Sequence, residues 1–112
     1  MAAAVDPRLR QLKIKTGIVK RLAKEKTMYE KEVVDQGKKV ENMIAENQDE
    51  HDIKKQKEVL EESRIMIPDC KRRLKTAYQD LSNLAAECEK DLSDKEDYIQ
   101  AKQMLEQTVL ED

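Results

Sequence analysis

Apolar residues recur every three or four positions along most of this chain. From the start to Val40, one heptad position reads Val5, Leu12, Val19, Lys26, Val33, Val40, apolar in all but one place. Its companion holds Leu22, Tyr29 and Met43, with Leu9, Ala23 and Ile44 beside them. A seam of roughly 3.5-residue period predicts a helix packed lengthwise against a partner helix. Asp6-Pro7 supplies its start, because a carboxylate accepts at the N-cap and proline's fixed φ suits the first helical position. The helix should run from about residue 7 to about residue 45. Gly17 and Gly37 lie inside it, each costing up to about 1 kcal/mol against alanine.

Asn47-Gln48-Asp49 reads as a turn, with Asp49 and Asp52 bringing negative charge to the next helix start. The second seam is stricter: Ile53, Leu60, Ile67, Leu74, Leu81, Cys88. Pro68 interrupts it, removing a backbone donor and crowding the preceding turn. The heptad phase is nevertheless the same on both sides. The reading is one helix over about 50–89, kinked at Pro68, and two helices joined by a loop form the alternative. Ser93-Asp94-Lys95-Glu96 matches a capping box and predicts a third helix over about 94–109, with Tyr98, Ala101, Leu105 and Thr108 on one face.

Short turns make successive helices antiparallel, so the third helix should lie against the start of the first and the end of the second. Ile14 and Ile18 widen the apolar surface of the first helix there, and Ala77, Tyr78, Leu84 and Ala85 that of the second. Residues 1–26 carry eight basic and two acidic groups, whereas 80–112 carry three basic and ten acidic, so this packing also pairs opposite charges. The expected fold is all-α, one helical-bundle domain over 1–112: an elongated antiparallel three-helix bundle, a coiled-coil-like rod about 60 Å long.

Composition agrees with a rod. Charged residues make up 41% of the 112 and aromatics 3%, with no Trp or Phe. That supplies few large side chains for a compact globule but enough for a stripe along each helix. A net charge of -2 and regular apolar spacing argue against disorder. No stretch approaches the ~18 apolar residues of a membrane span, and Met1 to Pro7 has neither the basic nor the apolar region of a signal peptide. Cys70 and Cys88 lack metal-ligand spacing. On one helix they stand ~27 Å apart, too far to pair, so reduced thiols in a cytosolic protein are expected.

Catalysis finds no support. Nucleophilic catalysis needs a Ser, Cys or Lys beside a general base, and the lone histidine, His51, falls at a helix start as an exposed polar residue. The cysteines occupy seam positions, where a free thiol behaves as a small hydrophobe. There is no glycine-rich phosphate loop and no metal-ligand cluster, so no catalytic, cofactor-binding or metal residue is expected. Basic residues lack interleaved aromatics, which argues against nucleic acid. One feature is left over. Ile65 takes the outermost register position with Met66 beside it, and Lys71, Arg72, Arg73 and Lys75 follow just beyond Pro68. An apolar pair beside clustered arginines resembles a protein-binding hot spot. Alternatively, Pro68 rotates the helix and buries Ile65 and Met66.

The segments Ile14-Lys15-Thr16-Gly17-Ile18-Val19-Lys20-Arg21-Leu22, Lys24-Glu25-Lys26 and Tyr29-Glu30-Lys31-Glu32 closely resemble the first-helix signature of the tubulin-folding cofactor A (tubulin-specific chaperone A) family. Asp52-Ile53-Lys54-Lys55-Gln56, Glu62 to Cys70, Arg72-Arg73-Leu74 and Tyr78 are similar to its second-helix signature. The resemblance covers roughly residues 7–80 and is looser over the last thirty. His51 departs from the tyrosine often found there, and the first five residues are an atypical extension. The resemblance implies a cytoplasmic, cytoskeleton-associated chaperone that uses no nucleotide or other cofactor. Such proteins capture quasi-native β-tubulin after chaperonin release and pass it to other tubulin-folding cofactors for αβ-heterodimer assembly. No nucleic acid and no membrane is implied as a partner. Tubulin is acidic, so the implied contact face is basic: Ile65, Met66, Arg72, Arg73 and Lys75 from the second helix, Lys20, Arg21 and Lys24 from the first. The competing reading is a structural coiled-coil adaptor or self-association module. Where the third helix is absent, Val34, Ile44 and Val59 should be incompletely buried. Heavy flanking charge favours a monomer, and a dimer stays open.

Overall fold

The computed structural model describes residues 5–111. The atypical start, with its signal-peptide reading, therefore lies outside the described residues except for Val5. Asp6 caps the first helix, its Oδ1 accepting from the Arg8 backbone N–H at 2.9 Å, and Pro7 takes the first helical position. Helix α1 then spans Pro7–Ala45. It ends in a Schellman motif: Asn47 takes a left-handed φ of 54°, its N–H donates to Ile44 O, and the Gln48 N–H reaches Met43 O at 3.0 Å. Asp49 starts α2, Glu50–Leu92, by accepting from the His51 N–H at 2.7 Å. Helix α3 spans Glu96–Gln107.

Helix α2 passes through Pro68 without a break, which excludes the loop alternative. Pro68 and Arg64 are both exposed, so the Arg64 carbonyl deprived of its donor lies on the solvated side. The capping box is corrected. Ser93 keeps αR geometry as the C-cap of α2, and Lys95 precedes α3 with no side-chain cap. Leu92, only 6% exposed, draws α2 into the core past the point where a serine cap could act. Thr108 likewise lies beyond α3, not within it.

The three helices form an all-α rod with extents of 72 × 30 × 16 Å. One core joins Leu12, Val19 and Leu22 of α1, Leu74, Leu81, Ala85 and Cys88 of α2, and Tyr98, Ala101 and Leu105 of α3. Ala77, Tyr78 and Leu84 pack against it, and the Tyr78 hydroxyl donates to Leu105 O at 3.3 Å. Two expectations for α1 fail. Val5 precedes the helix and is exposed, and Ile14 and Ile18 stay largely at the surface instead of passing under α3. The expected charge pairing occurs where Arg8 meets Asp91 at 2.6 Å.

Candidate functional site

The heptad register divides the α1–α2 pair into two sides. On α1, Leu9, Ala23 and Lys26 face the side that α3 and its following tail cover, while Ile18, Arg21 and Tyr29 line the other. On α2, Leu74, Tyr78 and Ala85 face α3, while Val59, Met66 and Arg73 border the open side. A third helix on one flank of an antiparallel pair leaves the opposite flank free, and two adjoining grooves run along it.

The first groove sets Tyr29 from α1 and Val59, Ile65 and Met66 from α2 beside Glu32, Glu62 and Ser63. Ile65 is 62% exposed, so the proline does not bury it; Met66 is half-buried. The second groove gathers Ile18 and Arg21 from α1 with Arg72 and Arg73 from α2. Asp69 organises these arginines. Its carboxylate accepts from Arg72 Nη2 at 3.0 Å and pairs with Arg73 Nε at 3.2 Å, while Arg21 sits 3.8 Å from Glu25. Each ion pair occupies one edge of a guanidinium fork and leaves further donors for a partner. Asp69 also tempers the positive charge, a partner at i−3 and i−4 that the sequence reading passed over.

Three of the anticipated residues fall elsewhere. Lys75 stands roughly 200° round the helix from Arg73, exposed on α2 but outside the arginine groove. Lys20 and Lys24 border a separate groove on the α3 side, together with Ala23, Leu74 and Met104. Thus Ile65, Met66, Arg21, Arg72 and Arg73 form one surface, and the two lysines belong to another.

That other groove holds a group the sequence reading missed. Lys26, the polar residue in the first seam, is only 7% exposed. Its Nζ lies 3.2 Å from a carboxylate oxygen of Glu30 and 3.2 Å from one of Glu111. Burial alone would lower its pKa, but the hydrogen bonds it donates to Glu30 and Glu111 outweigh that and hold it raised. Cys70 and Cys88 are buried free thiols, and burial pushes both pKa values up, keeping them protonated. Among the described residues no His, Cys, Asp and Glu cluster could hold a metal ion, and no helix is long and apolar enough to cross a membrane.

These surfaces can be set beside known proteins. The profile of the family described as Tubulin binding cofactor A matches residues 7–105. A curated relative, the tubulin-specific chaperone A of Gallus gallus, is 59% identical over 106 residues, which is 95% of this chain and 97% of that protein. The solved human tubulin chaperone cofactor A superposes with a TM-score of 0.75 at 56% identity, covering 89% of this chain and 96% of that one. The crystal structure of tubulin folding cofactor A from Arabidopsis thaliana gives 0.79 at 41% identity, with 89% and 94% covered. Sequence and fold agree over nearly the whole length, and the chain belongs to the tubulin binding cofactor A family.

Proposed function

We propose that this chain is a tubulin-folding chaperone that binds quasi-native β-tubulin after chaperonin release. It then passes β-tubulin, with other tubulin-folding cofactors, toward αβ-heterodimer assembly in the cytoplasm. Family membership carries the reading, through a relative 59% identical that is named a tubulin-specific chaperone. The open flank supports it physically. Ile65 and Met66 supply an apolar anchor, Arg21, Arg72 and Arg73 the cationic complement to an acidic client, and both lie on rigid helices. Binding on this flank leaves the core and α3 undisturbed.

Purified β-tubulin tests the surface. Arg72→Glu/Arg73→Glu should weaken binding and flatten its salt dependence. Ile65→Asp should cost on the order of 2 kcal/mol of binding, as expected for a hot spot. Circular dichroism must show both variants as helical as the parent. A folded double charge reversal that binds β-tubulin like the parent places the contact elsewhere.

The second reading, a self-association module, draws on the α3-free end of the rod, where Val34 and Ile44 are 54% and 51% exposed. Recovery of the chain with itself and without β-tubulin would favour that reading.

A further inference from the structure

Helix α3 stops at Gln107, and the chain after it continues along the other two helices toward Lys26 and Lys71. Thr108 ends the helix by donating both its N–H and its hydroxyl to Met104 O, at 3.0 and 2.6 Å. Three residues later the Glu111 carboxylate bridges α1 and α2, with Lys26 Nζ 3.2 Å from one oxygen and Lys71 Nζ 3.7 Å from the other. Little else fastens this tail, since Val109 is 71% exposed and Leu110 39%. Beside it lies the groove floored by Ala23 and Leu74 and edged by Lys20 and Lys24, with Thr108, Val109 and Glu111 of the tail along its other side. Both edge lysines are exposed, and neither makes an ion pair among the described residues. The groove therefore has an apolar floor, Lys20, Lys24 and Lys26 along one side, and the tail with its Glu111 carboxylate as the other.

A buried ammonium keeps the occupant exchangeable in kind. Lys26 keeps Glu30 at 3.2 Å when Glu111 departs, but a buried ammonium is better satisfied by two carboxylates than by one, so the place Glu111 leaves suits another carboxylate. An incoming acidic segment restores the pairing and gains Lys20 and Lys24, which the tail leaves unused. Resting on the client-binding reading above, we propose that this groove docks an acidic, extended segment of the client, and that Glu111 of the tail, held on Lys26 and Lys71, is its intramolecular competitor. The tail's tethering gives it a high effective concentration despite its few contacts. Its occupancy lowers the apparent affinity of an incoming segment by the fraction of time the groove is covered. The open flank and this groove are then two separate contact surfaces, one on each side of the α1–α2 pair.

The test pairs a peptide titration with the β-tubulin binding assay above. A fluorescein-labelled peptide of sequence Glu-Glu-Leu-Glu-Glu is titrated by anisotropy against the full chain, Glu111→Gln, and a variant ending at Gln107. Removing the tail should tighten binding by roughly fivefold or more, Glu111→Gln should give a smaller gain, and a Lys-Lys-Leu-Lys-Lys peptide should gain nothing. Lys20→Glu/Lys24→Glu in the shortened chain should abolish the gain. Should the shortened chain lose helicity, Glu111→Gln alone decides. Equal affinity of parent and tail variants overturns the proposal, as does a gain that survives the lysine reversal. If the full chain binds β-tubulin but the tail variants show no peptide gain, only this proposal falls. If the gain appears and no variant binds β-tubulin, the client reading falls and the groove stands.

Discussion

Lys26 is a residue-scale exception whose explanation lies far along the chain. A heptad reading marks it as the polar member of an apolar seam, but its partner Glu111 follows the last helix, where no periodicity points back to it. Sequence pattern reports which positions are buried, not which distant carboxylate neutralises one of them. The pairing carries a pH signature. The hydrogen bond from Lys26, reinforced by Lys26 and Lys71 charge, outweighs desolvation and holds the Glu111 carboxyl below its ordinary value. A depressed carboxyl pKa stabilises above the unfolded value, about 4.3, and that contribution is lost as pH falls through the lower folded pKa. Lys26 is shifted the opposite way, so its share persists until pH climbs past its raised pKa. Tail attachment should therefore hold through neutral pH and down past the ordinary glutamate range, then fail in stronger acid. NMR titration of the Glu111 side chain checks this. A midpoint at or above the ordinary glutamate value would contradict the clamp.

Among the elements, the seams read most clearly and the ends least. Leu60, Leu74, Leu81 and Cys88 of the α2 heptad are buried, because a strict repeat on a long helix allows only one face inward. The Ser93 cap misled because local capping chemistry competes with packing, and burying Leu92 extended α2 past it. The two halves of the rod also differ in quality. Leu12, Val19, Leu81, Cys88 and Ala101 are all fully buried where α3 is present. Beyond α3 the seam depends on Val40, Met43, Leu60 and the polar Ser63. Fewer buried apolar residues lower the free energy of local opening. Backbone amides of residues 34–60 should thus exchange faster than those of 12–22 and 74–88. The expected difference is about tenfold, equivalent to about 1.4 kcal/mol in opening free energy. Uniform protection along the rod would refute this division.

At the scale of the whole molecule, an asymmetric bundle sets what surfaces are on offer. The seam residues predict that helices pair, but they do not say on which flank the third helix docks. For that reason Arg72 and Arg73 could be placed outward from sequence, Ile65 only as one of two alternatives, while Lys20 and Lys24 could not be separated from Arg21. The same register bears on self-association. Val34 and Ile44 project on the flank that α3 covers further along, and Val59 borders the opposite groove. They stand apart, with exposed Lys31, Lys38, Lys39, Glu41 and Glu58 on the same two helices. A specific interface buries roughly 1,200–2,000 Å² around a contiguous apolar centre, and three dispersed side chains on two flanks do not supply one. Sedimentation velocity at micromolar concentration should show one species near the 13.1 kDa chain mass. Its frictional ratio should be that of an elongated body, as the 72 × 30 × 16 Å extents require. Val34→Lys should leave the distribution unchanged, since a monomer loses nothing there. A dimer whose fraction stays constant on dilution, and which Val34→Lys dissociates, would establish a self-association surface at the α3-free end.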